Sequence, residues 1–210
     1  VSFLSAIPNL CIFAPATFAS LDRFLHASAS AGMPLVIRYP NMTEDARIID
    51  AFFRADTRET VAHADFTDAA ANRAVIITYG RIATEALDAA EKLRARGIPC
   101  GVILLETLKP YEVVADRVAQ LLPADAAAVV FLEEGIRNGG AGMLTFDMLA
   151  RRHEALMANK KTAVVAIDDN FVIPAQKESI RRTAGITAND VLRTAVHLLA
   201  ALPQKNEGNP

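Results

Sequence analysis

The sequence predicts an α/β protein: a parallel, doubly wound sheet preceded by the tail of a second α/β unit. Short continuous apolar runs, bounded by glycine, proline or polar residues, have the length and composition of strands buried on both faces. Segments with apolar residues at 3.6-residue spacing separate these runs and read as helices. No run is joined to the next by a two-residue hairpin signal, so the connections are expected to be right-handed parallel crossovers.

Leu10 to Ala14 (LCIFA), stopped by Pro15, is the first predicted strand. Thr17 to Ala31 follows as a helix with Leu21, Phe24, Leu25 and Ala29 on one face, Thr17 as its cap and Gly32 as its stop. Pro34 to Tyr39 (PLVIRY) reads as a second buried strand, closed by Pro40. Residues 1–43 are too few to enclose a core and are expected to be the end of a larger domain. Residues 44–73 are polar and mixed in charge, the composition of a linker, with Val61 to Phe66 alternating weakly as an edge strand.

Residues 74–202 are expected to form the main domain. Its strands are Val75 to Tyr79, Cys100 to Leu105, Ala127 to Leu132 and Ala163 to Ile167. Its helices are Ile82 to Arg96, Val113 to Leu122, Gly140 to Arg152 and Asn189 to Leu202. On the first helix Ala83, Ala86, Leu87, Ala90 and Leu93 fall on one face, and Thr187 or Asn189 can cap the last. Residues 203–210 are polar and expected to be disordered.

Composition excludes several classes. The 210 residues are 52% hydrophobic and 22% charged, which suits a globular chain and not a disordered one. Twenty-two basic against 24 acidic residues leave a net charge of −2, with no electrostatic basis for nucleic acid as partner. The apolar runs fall far short of the ~20 residues that a membrane span needs. Cys11 and Cys100 lie inside apolar runs without metal or disulfide spacing, so reduced buried thiols in a cytoplasmic setting are expected. The chain opens on Val1-Ser2-Phe3 without an initiator Met or a basic leader, and its first residue is expected to be a cut.

Ligands of open α/β sheets bind beyond the carboxyl ends of the strands, and three segments stand out there. Arg38 leaves a strand as the chain emerges; its guanidinium can bind a phosphate or carboxylate, or pair with an acid on a neighbouring element. Glu133-Glu134-Gly135 ends another strand, and Asn138-Gly139-Gly140-Ala141-Gly142 then opens a helix whose N-terminus suits an anion. Adjacent acids repel phosphate, so Glu133, Glu134, Gly139 and Gly140 are expected to serve packing at a domain or subunit interface instead. Lys109, before Pro110, is a catalytic candidate only if burial depresses its pKa; a solvated or salt-bridged lysine is the plainer reading. His26, His63, His153 and His197 are dispersed and lack metal-ligand spacing.

Taken together, these passages resemble the C-terminal third of the 1-deoxy-D-xylulose-5-phosphate synthase family within the transketolase superfamily. Phe3 to Asn9 (FLSAIPN) with Ala14-Pro15 is similar to a passage of that family's pyrimidine-binding domain, as is Ile37-Arg38-Tyr39-Pro40 to its R-Y-P signature. Leu108 to Glu112 (LKPYE), Glu133-Glu134 with Gly139-Gly140-Ala141-Gly142, and Phe171 to Pro174 (FVIP) with Thr183 to Ala188 resemble successive passages of its C-terminal domain. The matches are collinear over almost the whole chain.

The resemblance implies the fold of the transketolase C-terminal domain attached to the end of a pyrimidine-binding domain. It implies a cytoplasmic homodimer that uses thiamine diphosphate and Mg²⁺ to condense pyruvate with D-glyceraldehyde 3-phosphate, releasing CO₂. By the same resemblance Arg38 binds the substrate phosphate, while the cofactor, metal and catalytic acid–base residues belong to polypeptide preceding Val1. The chain alone is therefore expected to be inactive. Two departures bear on this: Asn41-Met42 follows R-Y-P where the family has a second arginine and a glycine, and Tyr111-Glu112 replaces the L-D of K-P-L-D. A split transketolase subunit, a 2-oxoacid dehydrogenase β-subunit and a non-catalytic regulatory or assembly module remain as alternatives.

Overall fold

Side-chain alternation along the strands determines how this chain layers. The computed structural model describes residues 1–40, 43–54, 59–66, 73–174 and 176–201. Strands β3 (Ala62–Asp65), β4 (Ala74–Tyr79), β5 (Cys100–Leu105), β7 (Ala128–Ile136) and β8 (Lys161–Ile167) form one sheet in the order β3-β5-β4-β7-β8. β5, β4, β7 and β8 are mutually parallel, and β3 adds to the β5 edge antiparallel.

Because successive residues point to opposite faces, Val75, Ile77 and Tyr79 of β4 enter one core with Ile103, Leu105, Val129 and Phe131. Ala74 and Ile76 enter the other with Val102, Leu104, Val130 and Leu132. Helices α4 (Ala83–Arg94) and α9 (Ala188–Ala200) cover the second face together with α3 (Ala46–Phe52). Helices α5 (Tyr111–Leu121) and α6 (Ala141–Arg152) cover the first. The result is a three-layer, doubly wound arrangement.

The inner face of α4 follows the sequence pattern. Ala83, Ala86, Leu87, Ala90 and Leu93 of α4 are all buried. Thr187 and Asp190 form a reciprocal capping box at the start of α9, with the Thr187 N–H 2.9 Å from the aspartate carboxylate. The short elements α7 (Glu154–Met157) and α8 (Lys177–Thr183) lie in connections.

The first segment contributes α1 (Ser2–Ser5), β1 (Cys11–Phe13), α2 (Phe18–Ser28) and β2 (Leu35–Ile37). β1 and β2 pair parallel, as a crossover requires, and Thr17 caps α2 by accepting the Ser20 N–H at 3.1 Å. The other edge of β1 pairs antiparallel with β6 (Thr107–Lys109), a strand of three residues that carries no signal of its own. This joins the first segment to the main unit, and Leu10, Ile12 and Ala14 complete the core that holds Tyr79 and Phe131.

Several expectations are corrected. β2 is half-buried, because it is an edge strand. On α2 Phe24 is buried as expected and Ser20 joins it, but Leu25 is exposed, as is Ala29 just beyond the helix. Residues 44–73, expected as a linker, contain α3 with buried Ile48 and Phe52, as well as the predicted edge strand β3. Asn41-Met42 and the tail 203–210 lie outside the described residues.

Candidate functional site

The carboxyl ends of β4, β5 and β7 meet the first segment, and the singled-out residues collect along this seam. β7 runs two acids past its apolar stretch, and its pairing with β8 shifts register between Leu132 and Ile136. Strand alternation turns the two carboxylates to opposite faces.

Glu133 turns inward and is fully buried. Its Oε1 accepts the Gly142 N–H at 3.1 Å, and its Oε2 accepts the Ala141 N–H at 3.2 Å and the Tyr79 hydroxyl at 3.1 Å. The N-terminus of α6 is therefore filled by the protein's own anion, as the helix dipole favours. Glu133 thus occupies the position that an external anion would take at this helix end. Burial pushes the Glu133 carboxyl above its ordinary range, against the lowering effect of its three hydrogen bonds. Burial, then the charge of Glu133, likewise pushes the Tyr79 phenol upward, so it remains a donor.

The glycines make this approach possible. A Cβ on Gly140 would lie 2.5 Å from Glu133 Oε1 and nearer still to the Ile136 carbonyl. A Cβ on Gly142 would stand 2.7 Å from the Phe131 ring. Gly139 has φ +69° and faces Ser2 of α1 across the seam.

Glu134 turns outward. Arg181 of α8 grips its Oε1 through Nη2 at 2.6 Å and Nε at 3.0 Å. Arg181 also reaches Glu85 at 3.4 Å, and Glu85 accepts the Ala188 N–H of α9 at 2.7 Å. Arg38 approaches the other oxygen of Glu134 only to 3.9 Å, a charge contact beyond hydrogen-bond length. Its guanidinium lies 5.3 Å from the centroid of the Tyr79 ring, over the space left by Gly80, and its side chain is 35% exposed. Among the described residues none of its side-chain N–H groups makes a hydrogen bond. Arg38 thus faces a carboxylate across the seam without hydrogen-bonding it.

A second arginine–glutamate pair closes the seam at β5. Arg23 of α2 meets fully buried Glu106 at 2.8 Å, and the His63 Nε2 lies 3.1 Å from the same carboxylate oxygen. Sequence reading missed Glu106, although a polar residue directly after the apolar run of β5 obeys the same strand-end rule that singled out Glu133. It also missed Tyr79 and Arg181, whose partners are remote in sequence. Lys109 donates to the Ser5 and Ile7 carbonyls of the first segment, which makes it a seam contact and not a catalytic base.

A family model described as the transketolase C-terminal domain matches residues 64–191, more than half of the chain. The chain belongs to the transketolase C-terminal domain family. The chain is 29% identical over 207 residues to the 1-deoxy-D-xylulose-5-phosphate synthase of Rhodobacter capsulatus, which covers 98% of this chain and 31% of that protein. It is 25% identical over 191 residues to the synthase of Aquifex aeolicus, covering 91% of this chain and 28% of the relative. It thus spans less than a third of the length of these relatives. Among solved structures, a chain described as "Split gene transketolase, inactive beta4 tetramer" superposes with a TM-score of 0.70 at 24% identity, covering 95% of this chain and 60% of that one. That likeness shows the fold.

This transketolase C-terminal domain has no cluster of His, Cys, Asp and Glu able to hold a metal ion among its described residues. With the α6 N-terminus filled by Glu133, those residues do not fit a Mg²⁺–diphosphate group. Cys11 and Cys100 are free and buried, and burial pushes the Cys100 thiol up to about 12. No described helix is long and apolar enough to cross a membrane.

Proposed function

We propose that this chain is the C-terminal portion of a thiamine-diphosphate-dependent 1-deoxy-D-xylulose-5-phosphate synthase that joins pyruvate to D-glyceraldehyde 3-phosphate with loss of CO₂. One observation carries the reading: a relative of that name aligns with 98% of the chain, through the seam and both units. The role of Arg38 is to hold the substrate phosphate. Its half-buried guanidinium, whose donors make no hydrogen bond among the described residues, lies beyond the strand ends and suits a dianion. Thiamine diphosphate with Mg²⁺ supplies the electron sink of this reaction. Both are assigned to polypeptide that the longer relatives possess, and the working protein to a cytoplasmic homodimer.

Glu134, Gly139 and Lys109 serve the junction between the two units, and Glu133 and Gly140 brace it from within. On this reading the chain alone forms no product. A second reading, a separately encoded transketolase subunit, is favoured by the solved neighbour, a protein described as divided between genes.

The test supplies pyruvate and glyceraldehyde 3-phosphate to the complete polypeptide that contains these residues and follows sugar-phosphate formation. Arg38→Ala should raise KM for glyceraldehyde 3-phosphate by about 10- to 100-fold, the cost of a lost charge-assisted contact, with KM for pyruvate unmoved. Formation of a sugar phosphate from xylulose 5-phosphate instead would select the transketolase reading.

A further inference from the structure

A guanidinium on a free side chain binds an anion weakly, because the anion must also immobilise it. Arg38 is not free. It leaves β2 one residue past the strand, with its own N–H bonded to the Phe13 carbonyl at 2.8 Å. Its guanidinium lies 5.3 Å from the centroid of the Tyr79 ring. That ring belongs to a residue 1% exposed on the central strand β4, and its hydroxyl is tied to buried Glu133 at 3.1 Å. Glu133 is fixed in turn by the first two N–H groups of α6. The next residue, Gly80, lies at φ +65°, and a Cβ there would stand 3.2 Å from Arg38 Nη1.

The attraction that holds Arg38 thus comes from an aromatic face and a distant carboxylate, neither of which uses an N–H donor. We propose that Tyr79 is a positioning residue for the anion site of Arg38: a rigid aromatic platform that orients the guanidinium while leaving its donors for an incoming phosphate. The proposal rests on the phosphate role assigned to Arg38 above. The platform works through its ring, whereas its hydroxyl serves to anchor the ring to Glu133.

The experiment titrates inorganic phosphate into the 210-residue chain and follows the Arg38 Nε–Hε signal by ¹⁵N NMR. In the unmodified chain that signal should be ring-shifted by Tyr79 and respond to phosphate. Tyr79→Leu should abolish the ring shift and weaken phosphate binding about fivefold, the scale of a partly exposed cation–π contact. Tyr79→Phe should keep the ring shift and most of the affinity. Arg38→Ala should remove binding, and adding Tyr79→Leu to it should cost nothing further.

Phosphate binding that survives Arg38→Ala unchanged overturns the phosphate role itself. Loss of binding in Arg38→Ala, with affinity and the Arg38 signal unmoved in Tyr79→Leu, overturns the platform alone. Should Tyr79→Leu not fold, the ring shift in the unmodified chain and in Tyr79→Phe decides, and its absence from both refutes the platform.

Discussion

Replacing Glu133 with alanine isolates the strongest internal claim of this structure. The carboxylate accepts from the Ala141 and Gly142 N–H groups and from the Tyr79 hydroxyl, all in a fully buried setting. Truncation strands these donors. A buried donor left unpaired costs about 1–3 kcal/mol, so even the low end for each gives a loss of about 3 kcal/mol. Relief from burying a charge works against it, because burial already pushes this carboxyl above its ordinary range.

The sign of the pH dependence follows. An acid whose pKa is higher in the fold than in the unfolded chain binds its proton more tightly when folded. Stability therefore falls as pH rises from the unfolded value, near 4.5, through the folded one. The gap between the unmodified chain and Glu133→Ala should be widest in acid and narrow as pH rises across that window. Urea denaturation of both chains measures it, and thermal melts should show a drop of about 6–12 °C for a chain of this size. Glu134→Ala is the control, since its carboxylate is 29% exposed and its half-buried pairing with Arg181 is partly screened by solvent, so about 1 kcal/mol is at stake. If Glu133→Ala costs no more than Glu134→Ala, the internal cap of α6 is not what holds this turn.

Two further outcomes follow from the same structure. Gly142→Ala places a methyl 2.7 Å from the Phe131 ring and should cost about 1–3 kcal/mol by overpacking; adding Phe131→Leu should recover part of it, and additive losses in the double variant would falsify the steric account. Asp116 is pulled down to about 2 by hydrogen bonds from Arg152 and then His153, so its stabilisation is present above about pH 3.8 and lost as pH falls toward 2. Asp116→Asn should flatten that acid limb in urea midpoints taken from pH 5 to pH 2, and parallel acid limbs in the two chains would count against the pairing.

The amino-acid sequence alone determined the layered architecture. Strand-length apolar runs and 3.6-residue periodicity are local, so β1, β4, β5, β7, β8, the inner face of α4 and the span of α6 could be read directly, as could the capping of α2 by Thr17; for α9 the sequence offered Thr187 or Asn189, and the fold uses Thr187. Arg38, Glu133 and Glu134 were legible as residues at strand ends, but their partners were not. Strand alternation sends the adjacent carboxylates to opposite faces, but only the tertiary arrangement sets the α6 N-terminus beside one and Arg181 beside the other. The Tyr79 platform and the Glu106 pairs with Arg23 and His63 join residues tens of positions apart in the chain. The three-residue strand β6 gains its hydrogen bonds only when β1 arrives beside it. Such contacts follow from how the chain crosses back on itself, and no periodicity within one segment encodes them.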